Sequence, residues 1–380
     1  MQTMHPVVLH GSTAWDQERL PRDEFNERLQ SIQEMMRQNE INGLIVYSDC
    51  RDYARLCYIT NYIPKHSWAI VLIPVHGKPR LLAKVAGSRD IPSVSVLTWI
   101  DDIKPAQNIT GEIELFVSEV AEDGQPVIGI CGKAEMRHTV YTEIAAGCQG
   151  NSLKDMDIPF DQLLRHKRPR EISVMREASG ILNSVVEAMK EIQRRGGSVV
   201  TTAVEAERVA RYLGAHDVRV LYSTNHGKTL EPFETLSDVR NDRLVSYVAV
   251  ECLGYWVEAM VTLSQQASPI DLRAAELLQF LTQSLKPGAK VGDLVHQAEE
   301  MVQPYQLHPL LQNGFGHSIG LSIVEAPSLH ASRSENKVEA GTVYSLHAGL
   351  TDNKDNNVLL SSMMLVTENG NEILWSSVGQ

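Results

Sequence analysis

Long hydrophobic segments are absent from this sequence. The 380-residue chain has no run of the roughly 18 apolar residues that a membrane-spanning helix needs. Its first residues, MQTMHPVVLHGSTAWDQERL, contain no basic start followed by an apolar core, so no secretory signal is expected. We therefore expect a cytoplasmic protein that has no membrane partner.

Cysteine and positive charge are both scarce. The chain has five cysteines and no CxxC pair, which predicts reduced thiols. Lys and Arg total 35 against 47 Asp and Glu, a net charge of −12, which argues against nucleic acid as a partner. No run of aromatic residues indicates a cation cage, and no cluster of arginines indicates a carboxylate-binding site.

The order of predicted helices and strands divides the chain into two domains, as its length suggests. Residues 1–160 alternate between the two: RDEFNERLQSIQEMMRQNEING predicts a helix, LIVYS a buried strand, and WAIVLIPVHGKPRLLAKV two strands joined by a turn. Residues 161–380 begin with a long amphipathic helix that ends at Gly196-Gly197 and finish with strands. The predicted fold class is α+β, with a smaller α/β domain first.

Three segments of the second domain resemble one family of known proteins. LLRHKRPREISVMREASGI is similar to the segment that opens the catalytic domain of the creatinase, prolidase and aminopeptidase P family. GFGHSIGLSIVEAPSL is similar to its Gly-His-Gly-Ile-Gly-Leu…His-Glu-Ala-Pro segment, and LVTENGNEIL to its closing strand and turn. The resemblance implies the pita-bread fold for residues 161–380 and a creatinase-like α/β domain for residues 1–160. It also implies a homodimer with the site near the subunit interface.

Peptidases of this family hold two metal ions with two Asp, one His and two Glu. The resemblance places these five positions at Tyr247, Glu258, His317, His347 and Ser361. Only His317 keeps the family's residue, and only Glu258 keeps a carboxylate. Because two divalent ions need several carboxylates to neutralise their charge, no dinuclear centre is expected.

Neighbouring family positions have changed as well. A further family histidine falls at Leu230, an arginine falls at Leu359, and the His of His-Glu-Ala-Pro is Val324, whereas Glu325 remains. Creatinase is the family's precedent for a metal-free site. Creatinase, like the family peptidases, has a glutamate at the position of His347. We therefore expect a substrate other than creatine.

The first hypothesis is a creatinase-like, non-peptidase enzyme without a cofactor. It would hydrolyse, or eliminate across, a C–N bond of a small nitrogen-containing molecule. His317 would be the acid or base, because an imidazole titrates near neutral pH. We interpret the glycines around His317 as room for a ligand. The candidate catalytic residues are His317, His347, Glu258, Glu325, Tyr247 and Ser361.

Two alternatives stay open. Glu258, His317 and His347 are a recognised set for one divalent transition-metal ion, which would make the chain a mononuclear metalloenzyme. Alternatively, the chain is a catalytically inactive pita-bread protein that binds a ligand or partner. The polar residues at all five former ligand positions argue against complete loss of function, which should leave apolar or small residues there.

Overall fold

The computed structural model describes residues 9–121, 124–223, 225, 227–232, 239–240, 242–352 and 356–378. The chain divides into two compact units, Met1–Leu164 and Arg165–Gln380. The predicted boundary between residues 160 and 161 lies inside the helix Asp157–Arg165. Among the described helices, none is both long enough and apolar enough to cross a membrane.

The first unit is built on one mixed six-stranded sheet, in the order β4-β3-β2-β1-β5-β6. Ile45 and Ile70 on its central strands pack against Ile113, Phe116 and Ile144 of two helices. The predicted helix, buried strand and strand pair of this region are confirmed. The elements are α1 Arg22–Gln38, β1 Gly43–Asp49, α2 Ala54–Thr60, β2 Trp68–Pro74, β3 Arg80–Ala83, α3 Ile91–Val94, β4 Asp102–Pro105, α4 Ile109–Val120, β5 Ile128–Cys131, α5 His138–Gly147, β6 Leu153–Asp155 and α6 Asp157–Arg165.

The second unit contains two sheets and four long helices among its described residues. The first sheet has the order β10-β9-β7-β8, and the second has the order β13-β12-β14-β15-β16 with β11 paired to β14. The elements are α7 Pro169–Arg194, α8 Val199–Tyr212, β7 Asp217–Tyr222, β8 Glu231–Pro232, β9 Arg243–Cys252, β10 Tyr255–Ser264, α9 Pro269–Ser284, α10 Val291–Val302, β11 His308–Pro309, β12 Gly316–Ser318, β13 Glu325–Ser328, β14 Val343–Thr351, β15 Asn357–Thr367 and β16 Gly370–Ser376.

The hairpin of β9 and β10 separates two environments. Side chains alternate between the faces of a strand, so Tyr255 and Glu258 lie on opposite faces of β10. The hydroxyl of Tyr255 donates to Glu171 on α7 at 2.8 Å, which places that helix on one face. The free edge of β10 meets the second sheet, where the backbone amide of Met260 donates to the Ser361 hydroxyl at 2.7 Å. Glu258 lies on the face away from α7, and its carboxylate reaches His347 of the second sheet.

The glycines around His317 allow backbones to approach closely, so our interpretation of them as room for a ligand is wrong. A Cβ on Gly316 would overlap the carbonyl oxygen of Ser345 on the neighbouring strand, and Gly316 has a φ of +139°. A Cβ on Gly314 would overlap the carbonyl of Leu329. A Cβ on Gly320 would lie 2.7 Å from the Glu325 carboxylate. These contacts lock β12 against its neighbours.

We expect Gly316→Ala to lower the free energy of unfolding by roughly 2–4 kcal/mol, through backbone strain and overlap with β14. Gly180→Ala is the matched control, because a Cβ there meets no atom within 4 Å inside α7. That control should stabilise the protein by about 0.5–1 kcal/mol. Urea denaturation measures both, and equal effects of the two substitutions would contradict this role for Gly316.

Candidate functional site

Three of the predicted residues meet in one buried cluster. Glu258 comes from β10 of the first sheet, His317 from β12 and His347 from β14 of the second. Since β12 and β14 are neighbours, with His317 opposite Ser345, the two imidazoles lie side by side. Their ring centroids are 5.0 Å apart at an interplanar angle of 80°. All three residues are at most 2% exposed. We call them the Glu-His-His cluster.

One carboxylate oxygen joins the three side chains. Oε1 of Glu258 lies 2.9 Å from Nε2 of His347 and 3.3 Å from Nε2 of His317. The other oxygen, Oε2, accepts a hydrogen bond of 2.8 Å from the hydroxyl of Tyr247. Tyr247 is thus the fourth predicted residue to reach the cluster, and it contacts Glu258 directly.

The hydrogen-bond partners fix where the protons lie. Nδ1 of His317 is 3.0 Å from the carbonyl oxygen of Ser318, and a carbonyl only accepts, so this nitrogen carries a proton. An ionised Glu258 also only accepts, so Nε2 of His347, which is hydrogen-bonded to Oε1, carries a proton. Nε2 of His317 lies 3.3 Å from the same oxygen in an ion-pair contact, and Glu258 raises the pKa of His317, so we interpret His317 as an imidazolium. His347 needs only the Nε2 proton, because its Nδ1 is buried without a partner among the described residues.

The pKa shifts agree with this distribution of charge. Burial acts to raise the pKa of Glu258, but hydrogen bonds from His317 and His347 outweigh it and hold the pKa far below its usual value. Burial opposes the charged form of His317, yet Glu258 raises its pKa. Burial dominates at His347 and lowers its pKa. Burial and Glu258 raise the pKa of Tyr247 well above normal, and Arg219 acts against them.

Two predicted residues lie outside the Glu-His-His cluster. The carboxylate of Glu325 forms an ion pair of 2.5 Å with the buried ammonium of Lys167. Ser361 lies opposite His347 in the β14–β15 pairing, but its hydroxyl accepts the amide of Met260. Among the described residues, neither side chain forms a hydrogen bond to an imidazole, although the charge of Glu325 acts to raise the pKa of His317.

Sequence reasoning missed three groups that hold predicted site residues in place. The Ser318 carbonyl orients His317, and Lys167 holds Glu325. The hydroxyl of Ser345 lies 3.0 Å from Nε2 of His347. Ser345 had a usable signal, since it precedes His347 by two residues on a strand and so shares its face.

Apolar side chains gather beside Tyr247. Val245, Met260 and Leu359 are buried, and Leu230, Tyr247, Leu310 and Leu311 pack against them. Leu230 and Leu359 stand where the resemblance implies a histidine and an arginine. The structure thus brings two separately changed positions into one hydrophobic cluster, next to the changed position Tyr247.

The donor set does not fit a dinuclear metal centre. The hydroxyls of Tyr247 and Ser361 are engaged with Glu258 and Met260, and the Glu-His-His cluster supplies a single carboxylate. The same cluster does fit one ion, because one ligand atom from each residue lies within 4.8 Å of the others. Among the described residues, this is the one group of three or more such side chains at that spacing.

Comparisons with known proteins agree on one family. The sequence model of metallopeptidase family M24 matches residues 173–368. An uncharacterized peptidase of Staphylococcus aureus (strain USA300) is 24% identical over 244 residues, which cover 61% of this chain and 68% of that protein.

Solved structures show the same likeness over most of the chain. The prolidase of Pyrococcus horikoshii OT3 superposes with a TM-score of 0.75 at 17% identity, covering 93% of this chain and 99% of that one. The Xaa-Pro dipeptidase from Bacillus anthracis gives 0.73 at 18% identity, covering 94% and 98%. The predicted α+β fold class, with a pita-bread domain after a smaller α/β domain, is confirmed.

Glu258→Gln removes the charge that balances His317. The raised pKa of His317 stabilises the fold below the unfolded pKa of about 6.5, and this contribution is lost as the pH rises through the folded pKa. We expect a loss of about 3–5 kcal/mol at about pH 5.5, and a smaller loss at about pH 8, in urea denaturation.

Tyr247→Phe is the matched control, because it removes one hydrogen bond to Glu258 and leaves both imidazoles in contact with the carboxylate. Its cost should be about 1–3 kcal/mol and equal at the two pH values. If Glu258→Gln were equally costly at both pH values, the proton assignment above would be contradicted.

Proposed function

The chain belongs to metallopeptidase family M24, and from this membership and its altered site we propose that it is a non-peptidase enzyme without a dinuclear centre. It acts on a C–N bond of a small nitrogen-containing molecule, by hydrolysis or by elimination. The Glu-His-His cluster replaces the metal centre. This proposal rests on one geometric observation, the sharing of Oε1 of Glu258 by Nε2 of His317 and Nε2 of His347.

A buried nitrogen without a partner supports a reactive role for His347. Buried polar groups in proteins nearly always have a hydrogen-bond partner, and an orphaned one costs about 1–3 kcal/mol. Nδ1 of His347 has none among the described residues. As a bare lone pair it is a proton acceptor, and water or substrate would supply its missing partner.

The two histidines then divide acid and base work in a hydrolysis. Nδ1 of His347 takes a proton from water, and the resulting hydroxide adds to the carbon of the C–N bond. His317 donates its Nε2 proton to the departing nitrogen as that bond breaks. Glu258 remains ionised throughout and stabilises the positive charge wherever it resides.

The apolar surroundings also argue against peptidase chemistry. Peptidases of this family stabilise the reacting group with two metal ions, and this chain has leucines at Leu230 and Leu359 in place of polar family residues. We also propose, from the family resemblance, a homodimer that binds a small-molecule substrate near the subunit interface. Light scattering would test the dimer, and a monomer would contradict that part.

A screen of small amides, amidines, lactams and N-methyl amino acids tests the activity, with released amine as the signal. His317→Ala and His347→Ala should each lower kcat by about 10²–10⁴-fold, the usual contribution of a general acid or base. His296→Ala, an exposed histidine on α10, should leave kcat unchanged. An enzyme that turns over normally without His347 would contradict the proposal, and no turnover in the whole screen would favour a binding protein.

A single metal ion is the second candidate, favoured by the spacing of the three ligand atoms. In addition, Nδ1 of His317 is held by a backbone carbonyl, as in many metal-ligating histidines, which leaves Nε2 to face an ion. Such an ion would supply Lewis acidity at the Glu-His-His cluster. Both Nε2 protons would leave when it binds.

Chelation separates the two candidates. The metal-independent proposal expects full activity after exhaustive treatment with a chelator. The second candidate expects loss of activity and its return with about one ion per chain, with proton release visible as buffer-dependent heat in calorimetry. His317→Ala and His347→Ala would each abolish that heat, so calorimetry tests this candidate independently of turnover.

A further inference from the structure

Arg219 is an exposed arginine on the first sheet of the second unit. It lies on β7, and its guanidinium carbon lies 4.5 Å from the ring centroid of Trp256 on β10. Trp256 is only 2% exposed. The arginine side chain therefore reaches across the intervening strand β9, and its stacking on the ring fixes the orientation of the planar guanidinium.

The strand register places Arg219 on the face that carries Glu258. Ala249 of β9 pairs with Arg219 on one side and with Glu258 on the other. Residues directly opposite each other in a sheet share a face, so the three side chains form one row. Neighbouring strands are about 4.8 Å apart, so the backbones of Arg219 and Glu258 are about 10 Å apart. The small Ala249 lies between them.

The contact with Trp256 places the guanidinium of Arg219 closer to Glu258 than the backbone of Arg219 is. Trp256 precedes Glu258 by two residues on the same strand and face, a distance of about 7 Å along β10. Arg219 also acts electrostatically on Tyr247, whose hydroxyl donates to Glu258. The guanidinium thus lies over the sheet surface beside the Glu-His-His cluster.

The charge of Arg219 has no ionic partner in the described part of the chain, and its guanidinium stacks on the ring of Trp256. Two other arginines of this unit are paired with carboxylates. Arg243 forms a two-pronged pair with Asp271, and Arg176 forms one with Glu372. An oriented guanidinium that keeps its hydrogen-bond donors free is suited to capture an anion.

We propose that Arg219 binds a carboxylate of the ligand that occupies this site. A lone arginine matches a singly charged carboxylate, whereas a phosphate would call for further positive groups. The inference rests on the proposed function for the position of the reacting bond, and it narrows the substrate class to small nitrogen compounds that carry a carboxylate. In this arrangement the carboxylate of the ligand lies on the Arg219 side of Glu258, and the C–N bond of the ligand lies over the two imidazoles.

The test compares N-acetylglycine with its neutral isostere, N-acetylglycinamide, by isothermal titration calorimetry at low salt. The wild type should bind the carboxylate about 10–100-fold more tightly, the usual value of a charge-assisted hydrogen bond. Arg219→Gln should abolish the preference, and Arg219→Lys should keep part of it. Melting temperatures would show that each variant is folded.

Arg333→Gln is the matched control, since it removes one positive charge from an exposed loop outside the first sheet. It should keep the full preference for N-acetylglycine. Equal binding of the two probes by the wild type would overturn the proposal. So would a preference that survives Arg219→Gln, or the absence of binding of N-acetylglycine, acetate and benzoate at millimolar concentration.

Binding and turnover separate this inference from the proposed function. His347→Ala should lose turnover and keep the carboxylate preference, because it leaves Arg219 untouched. Carboxylate binding by a protein without turnover would contradict the proposed function and support the role of Arg219. Turnover of neutral and carboxylate substrates at equal kcat/KM would support the proposed function and contradict the role of Arg219.

Discussion

A buried carboxylate cannot remain ionised without partners, and in this protein the partners of Glu258 determine what the site can do. The phenol of Tyr247 and the imidazole of His347 form hydrogen bonds to its carboxylate, and His317 forms an ion-pair contact, so the buried charge is compensated. The contact with His317 favours the cationic form of that ring. The tight packing of Gly316 against β14 places the two rings side by side, so even the glycines of the β12 segment act through this contact.

The changes from the family pattern are spatially coordinated. Loss of ligands alone would have left holes or stranded polar groups between the sheets. Instead Leu230 and Leu359 pack with Val245 and Met260, and Tyr247 bridges that apolar cluster to Glu258. One half of the site implied by the family resemblance is hydrophobic, and the other half holds Glu258, His317 and His347. This division supports the proposed change of chemistry.

The sequence predicted more of the fold than of the site. The periodicity of apolar residues predicted the helices and strands, and the family resemblance identified Glu258, His317 and His347. Neither revealed that Glu325 pairs with Lys167, because a contact between residues 158 positions apart leaves no local pattern. Arg219 could be assigned to a face of β7 by alternation, but its row with Glu258 depends on the register of three strands, which composition does not specify. The use of the glycines likewise depends on which backbone packs against them.

The division of acid and base roles between His317 and His347 can be tested by measuring where their ring protons lie. Nitrogen-15 correlation spectra of the imidazole rings report which ring nitrogens carry hydrogen. At neutral pH, in protein freed of metal, we expect His317 to be protonated on both nitrogens and His347 to be neutral with its proton on Nε2. Two neutral rings, or a proton on Nδ1 of His347, would contradict the division of acid and base roles on which the proposed chemistry depends.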